Sequence, residues 1–432
     1  MTMTLFGHFS IQPNLNSLIN PMNPIHRRDF ILRLASAGLG VSVLPEIHAA
    51  QLANKAEHII YLFMNGGMSH LDTFDPKKDA EVKGKFNSIN TNAGQSISEH
   101  LPKLAKHGDK MAVIRSMMVT TGAHEQAQYL QRTSYKKIGT IIHPNMGAWM
   151  CKMQDSGEKI SIPQNVLITG PADHPGAGWM EKKYSPIPIQ DPLRGLENAK
   201  IKNKDEFSKR IQILKQIERD AMKAANPSEK SYAEFYDQTV RLLNSSELEV
   251  FDLSKESAEK REKYGNNRFG QGVCLAKRLI EQGGCKFIEV SDGGWDTHVN
   301  NFDALEEKLN ILDTALDALI EDLKASGLLK KTLIVVATDF GRTPIINVND
   351  GRDHHPGAFS SVLIGAGIKG GQVYGKSDDK GMKVLEGAVS PQDFNATIAS
   401  AAGLPIEQIL VSPEGRPFKI ADKGKPISSL LA

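Results

Sequence analysis

Four apolar runs, each breaking into a loop of glycine and polar residues, constrain this chain more than any other feature. They are "HIIYLFMNGG" (58–67), "MAVIRSM" (111–117) leading into "VTTGAHEQ", "CKFIEVSDGG" (285–294) and "TLIVVATDFG" (332–341). A run with apolar residues at both odd and even positions, rather than at every second one, is covered on both faces, as a central strand of a parallel sheet is. Between the last two runs, Leu305, Leu309, Leu312, Leu316, Leu319 and Leu323 recur at spacings of three and four, with Gly327 beyond them. That pattern predicts strand, long amphipathic helix, strand: a βαβ unit whose helix stops at a glycine. "PQDFNATIASAAG" predicts another helix, with Ser390 as N-cap, Pro391 in the first turn and Gly403 past the end. The stretch 203–282 reads as largely helical, and 161–200, rich in proline and glycine, as an irregular excursion that shapes a substrate entrance. The economical architecture is α/β: one doubly wound, mostly parallel central sheet with helices on both faces over residues 50–432, carrying a helical and loop insertion at about 161–282.

Charge names no partner. The 52 basic and 50 acidic residues are interspersed, without the basic blocks that nucleic-acid binding uses. Cys151, Cys274 and Cys285 lack metal-ligand spacing and read as buried thiols, with a Cys274–Cys285 bridge as the alternative. At the N-terminus "HRRDFILRLASAGLGVSVLPEIHAA" joins Arg27-Arg28 to a short apolar stretch ending in small residues, which resembles a twin-arginine export signal covering residues 1–49. The expected location is therefore periplasmic or extracellular, and no later run reaches membrane-spanning length.

In an open parallel sheet the reactive groups gather at the carboxyl ends of the strands. After the first run come Asn65, Ser69, His70 and Asp72; after the second, Thr120, Thr121, His124 and Glu125; after the third, Asp292, Asp296 and His298; after the fourth, Asp339 and Arg342, then Asp353, His354 and His355. Mixed aspartate and histidine sets suit zinc, manganese or a similar divalent metal better than calcium, and one or two such ions would serve ester hydrolysis. Asp292, Asp296, His298, Asp339 and His354 are the candidate ligands; His355 is an alternate ligand or acid, Arg342 a bidentate grip on an oxyanion, and His124 a further catalytic candidate. Single residues of this kind equally serve as turn formers and helix caps, so the signal lies in their convergence. Ser69, Thr120 and Thr121 stand near strand ends as nucleophiles, but none lies in a G-x-S-x-G elbow, which leaves water as the alternative.

"MNGGMSHLDTFDPK", "DGGWDTHVNNF", "TLIVVATDFGRTPIIN" and "GRDHHPGAFSSVLIGAGIKGGQVYGKSD", together with the arginine-pair leader, resemble the exported bacterial family known as DUF1501 over nearly the whole mature chain. That family is regarded as similar to the alkaline phosphatase and sulfatase superfamily, and the resemblance implies an alkaline-phosphatase-like fold. It also implies that Asn65 stands at the superfamily's first metal-binding Asp, Asp292 and Asp296 at an Asp-x3-His pair, Asp339-Phe340 at an Asp-His pair, and His354 or His355 at a final His. Asn65, Asp296 and Phe340 depart from those residue types. The function this implies is a metal-dependent hydrolase of phosphate or sulfate esters acting on an anionic small molecule or glycan ester. The alternatives are a non-catalytic protein recognising a sulfated or phosphorylated glycan, and a partner of other exported proteins.

Overall fold

A computed structural model describes residues 55–432, apart from 159–161, 198, 200, 202 and 226. The arginine pair and the leader lie outside the described residues. The four apolar runs are strands β1 (His58–Met64), β4 (Met111–Met117), β7 (Phe287–Asp292) and β8 (Thr332–Thr338). A small hairpin, β2 (Ser88–Asn90) and β3 (Ser96–Ser98), precedes β4; β5 (Asn165–Ile168) and β6 (Ile187–Ile189) follow it. After β8 come β9 (Gly341–Arg342), β10 (His354–His355), β11 (Phe359–Gly365) and β12 (Gln372–Tyr374). The helices that matter below are α1 (His124–Thr133), α2 (Met146–Met153), α3 (Lys204–Ala224), α4 (Pro227–Asn244), α5 (Ala258–Lys263), α6 (Arg268–Gly283), α7 (Asn301–Ala325) and α8 (Pro391–Ala401).

Eight strands form the central sheet in the order β12-β4-β11-β8-β1-β7-β5-β6. All its neighbouring pairs are parallel except those made by β11, which runs antiparallel to both β4 and β8. Alternation within the apolar runs explains why they have no polar face. Ile60, Leu62 and Met64 of β1 join a core with Leu305, Leu309, Leu312 and Leu316 of α7 and Val273 and Leu279 of α6. Ile59, Tyr61 and Phe63 point the other way, into a core with Leu130 of α1, Trp149 of α2 and Phe394 and Ile398 of α8. Each face of the strand thus meets a helical layer, and any polar residue in it would be buried without water.

The predicted ends hold. Ser390 caps α8 through a reciprocal capping box with Asp393, and Gly327 follows α7 at φ 74°, in the left-handed region that glycine adopts without strain. The three thiols are free and buried, so the bridge does not form. One expectation is corrected: the stretch 161–200 is not wholly irregular, because β5 and β6 extend the sheet beyond β7. They are too short, at four and three residues, to stand out among the prolines and glycines around them. No described helix is long and apolar enough to cross a membrane.

Leu312 is 1% exposed in the middle of α7. Leu312→Ala is expected to lower the unfolding free energy by about 2–5 kcal/mol, whereas Glu307→Ala, on the exposed face, should change it by less than about 0.5 kcal/mol; urea denaturation followed by circular dichroism measures both.

Candidate metal centre

β1, β7 and β8 end level with one another, since Met64 lies opposite Asp292 on one side and Thr338 on the other. The loops leaving these ends therefore start side by side, and β4 sends a fourth from the same edge of the sheet. Glycine lets them approach. Gly66 and Gly67 take φ of 122° and 87°, and a Cβ on Gly66 would come within 2.6 Å of the Asp296 nitrogen.

Three imidazoles and one carboxylate meet where these loops converge. His124, the first residue of α1, places Nε2 3.0 Å from His354 Nε2, and His298 places its own Nε2 2.9 Å from the same atom. Asp296 Oδ1 lies 3.2 Å from His354 Nε2, 3.1 Å from His298 Nε2 and 3.5 Å from His124 Nε2. His124, Asp296 and His354 offer ligand atoms within 4.8 Å of one another, the one such group among the described residues.

The opposite ring nitrogens are all occupied. His354 Nδ1 donates to the Gly122 carbonyl at 2.8 Å, His298 Nδ1 to Asp353 Oδ1 at 2.7 Å, and His124 Nδ1 to Asp339 Oδ2. A carbonyl or a carboxylate accepts only, so the proton of each neutral ring sits on Nδ1 and the Nε2 atoms present lone pairs. Lone pairs 2.9 and 3.0 Å apart repel. A proton on one ring relieves part of that repulsion; a cation held by His124, Asp296 and His354 would relieve more of it. Ligand atoms around a tetrahedral zinc sit roughly 3.3 Å apart, so His124, Asp296 and His354 fit such an ion in type and spacing, with His298 beside them. Oxygen acceptors behind each ligating imidazole are also what metal-bound histidines use to fix their orientation.

Charge is arranged to match. Partial burial works against an ionised Asp296, but the Arg342 guanidinium and then His354 and His124 outweigh it and hold the carboxyl down at about 2. Burial likewise opposes a charged His124, yet the hydrogen bond and charge of Asp339, followed by Asp296, raise its pKa above the ordinary value. Asp339 is fully buried and multiply held: the Gly66 N–H donates to its Oδ1 at 3.3 Å and Thr338 Oγ1 at 3.0 Å. Phe340 stacks on His124 with ring centres 4.7 Å apart and lies 4.8 Å from His354. Where the resemblance implies an imidazole, this chain uses an apolar wall that steadies two others.

The remaining expected residues are distributed as follows. Asp292 turns away from the imidazoles: Lys308 Nζ lies 3.1 Å from both its oxygens and Trp295 Nε1 donates to Oδ2 at 2.9 Å. Burial pushes its carboxyl up against the pull of Lys308. Asp339 stands behind His124 rather than beside the Nε2 atoms. Arg342 is 0% exposed and not free to grip an oxyanion, because it donates to the carbonyls of Gly66, Gly67 and Arg352 and to Asp296. His355 follows His354 in β10 and so faces the other side; its Nε2 bonds the Met382 carbonyl at 2.8 Å and its ring stacks 6.2 Å from that of His70. His70 is buried against the Gly381 carbonyl. Ser69 donates to Asp72 at 2.6 Å, and Asp72 is paired with Arg352 Nε at 2.8 Å and Nη2 at 3.1 Å, so these residues brace the loops. The Thr121 hydroxyl receives the Ala123 N–H at 3.2 Å at the start of α1 and contacts Gln126. Asn65 Oδ1 accepts from Gln128, whose amide also reaches Asp339 Oδ2 at 3.3 Å. Gln128 was not singled out in sequence, although it stands four residues after His124 and hence on the same helical face. The brace that Asp353 gives His298 has no sequence signal, since the two are 55 residues apart.

The profile of a family described as "Protein of unknown function (DUF1501)" matches residues 56–431. No curated protein matches the sequence. Among solved structures, the chain is similar to the PsFucS1 sulfatase from Pseudoalteromonas sp. at 14% identity, covering 84% of this chain and 70% of that one with a TM-score of 0.39. It is similar to the phosphonate monoester hydrolase SpPMH from Silicibacter pomeroyi at 13% identity, 86% and 76% coverage and a TM-score of 0.38. The lipoteichoic acid synthase LtaP from Listeria monocytogenes matches at 11% identity, 86% and 77% coverage and a TM-score of 0.38. Overlap this loose carries neither substrate nor metal from those proteins to this chain.

Two expected outcomes follow from the braces. Asp72→Asn leaves the buried Arg352 unpaired and should cost about 3–5 kcal/mol of stability in a urea titration. Burial lowers the His70 pKa to about 4, against about 6.5 for an unfolded imidazole. Between those values the unfolded chain binds a proton the folded one refuses, so stability falls as pH drops from about 6.5 to about 4. His70→Gln should flatten that part of the stability profile.

Proposed function

The chain belongs to the DUF1501 family, and from that premise we propose that it is an exported, metal-dependent hydrolase of phosphate or sulfate esters. One observation carries the reading: three imidazoles have their protons drawn away from one another, and the Nε2 atoms of His124 and His354 lie with Asp296 Oδ1 within ligand-sharing distance. His124, Asp296 and His354 would hold the ion, with His298 beside them. When bound, such an ion supplies Lewis-acid polarisation of an ester oxygen and neutralises charge developing there. Zinc suits the imidazoles of this donor set, and the Asp296 carboxylate also admits manganese.

The chain's own residues do the rest. Asp339, Asp353 and the Gly122 carbonyl fix the tautomer and angle of each ring. Phe340 keeps one wall dry. Arg342 orients Asp296, which leaves the carboxylate ionised at neutral pH. Ser69 and Thr121 are committed to Asp72 and to the α1 turn, so water is the attacking group this reading takes. The substrate is an anionic small-molecule or glycan ester, and export by the twin-arginine route agrees with a chain that folds and loads its ion before leaving the cytoplasm.

A second reading, a non-catalytic receptor for a sulfated or phosphorylated glycan or for another exported protein, is favoured by Asn65 and Phe340, which put an amide and an apolar ring where the resemblance implies metal ligands. Turnover separates the two. Purified protein reconstituted with zinc or manganese is expected to hydrolyse an aryl phosphate or aryl sulfate, and His354→Ala to abolish that hydrolysis. Asp339→Asn, behind the His124 ring, should weaken metal affinity by about 10- to 100-fold, with circular dichroism verifying the fold. Saturable glycan binding with no hydrolysis by the metal-loaded protein would favour the receptor, and absence of bound metal after reconstitution would remove the hydrolase.

A further inference from the structure

We propose, on the basis of the metal centre described above, that this site takes one divalent cation and not two, because the Lys308 ammonium is built in as the fixed positive charge on Asp292. Asp292, the last residue of β7, and Asp296, in the loop that follows, are carboxylates four residues apart, and they are treated differently. Asp296 Oδ1 faces the imidazoles. Asp292 has both oxygens 3.1 Å from Lys308 Nζ, and its Oδ2 also receives the indole N–H of Trp295, a ring that is 0% exposed. A cation approaching Asp292 would have to displace an ammonium and would be repelled by it.

Lys308 is held in that position by the fold. It projects from α7 between Leu305 and Leu309, both fully buried, so its backbone cannot withdraw from the loop. Its stem crosses Gly294, which takes φ 89° and whose absent Cβ would lie 3.0 Å from Lys308 Cε. A side chain at that position would crowd the lysine off Asp292. Among the described residues, no second group of three ligating side chains stands close enough to hold another ion. The positive charge beside Asp292 is therefore covalently attached and independent of metal supply.

Calorimetric titration of metal-stripped full-length protein with zinc and with manganese tests this, with metal content after dialysis as a second readout and circular dichroism to verify folding. One equivalent per chain is expected for the wild type and for Asp292→Asn, and none for His354→Ala. The double variant Asp292→Asn with Lys308→Met, which removes both charges together, should also take one. Lys308→Glu sets a second carboxylate against Asp292 and should take two equivalents, the second more weakly. Two equivalents in the wild type, loss of binding in folded Asp292→Asn, or a single equivalent in folded Lys308→Glu would overturn the proposal. No binding by the wild type would instead remove the metal reading on which it rests.

Discussion

Two arginines that solvent does not reach hold this site together. Arg352 pairs with Asp72 from the loop after β1, donates to the carbonyls of Thr343, Pro344 and Val82, and bonds the Thr297 carbonyl through its own backbone nitrogen. Arg342 ties the Gly66 and Gly67 carbonyls to Asp296 and to the Arg352 carbonyl. Between them they join the loops after β1, β7 and β8, which carry every ligand candidate except His124. Buried guanidinium is tolerable only with nearly all its N–H groups satisfied, and here the acceptors that satisfy it are the loops that need fixing.

That framework creates a problem which the ligand residues share. Each imidazole is turned by an oxygen acceptor on its far side, and the result is like polarity packed at its near side. A cation bound between the rings would offset that polarity. The same economy shows at Asp292, where a lysine supplies the charge from within the chain. On the proposed reading Asp296 would serve a bound ion, while Asp292 is paired with Lys308.

Much of this was legible in the sequence because strands and periodic helices are local. The apolar runs of β1, β4, β7 and β8, the leucine period of α7 and the capping residues of α8 all stand where the pattern put them. In a parallel sheet, strand direction alone then brings His124, Asp296, His298 and His354 to one edge. The orientation of side chains was not legible. Nothing in "SDGGWDTHVNN" tells Asp292 from Asp296, because the difference is made by Lys308 on the following helix. Likewise His354 and His355 are adjacent in sequence and separated only by the pleat of a two-residue strand, which depends on pairing with Arg342 and Gly341. β5 and β6 were hidden for a different reason, being too short to show a period.

The account stands or falls on whether His124 and His354, with Asp296, bind the same ion. X-ray absorption at the zinc edge of the zinc-reconstituted protein tests this most directly. It predicts a first shell of nitrogen and oxygen at roughly 2.0–2.1 Å with outer-shell scattering from two or three imidazole rings. A shell of oxygen alone, without the imidazole signature, would contradict it.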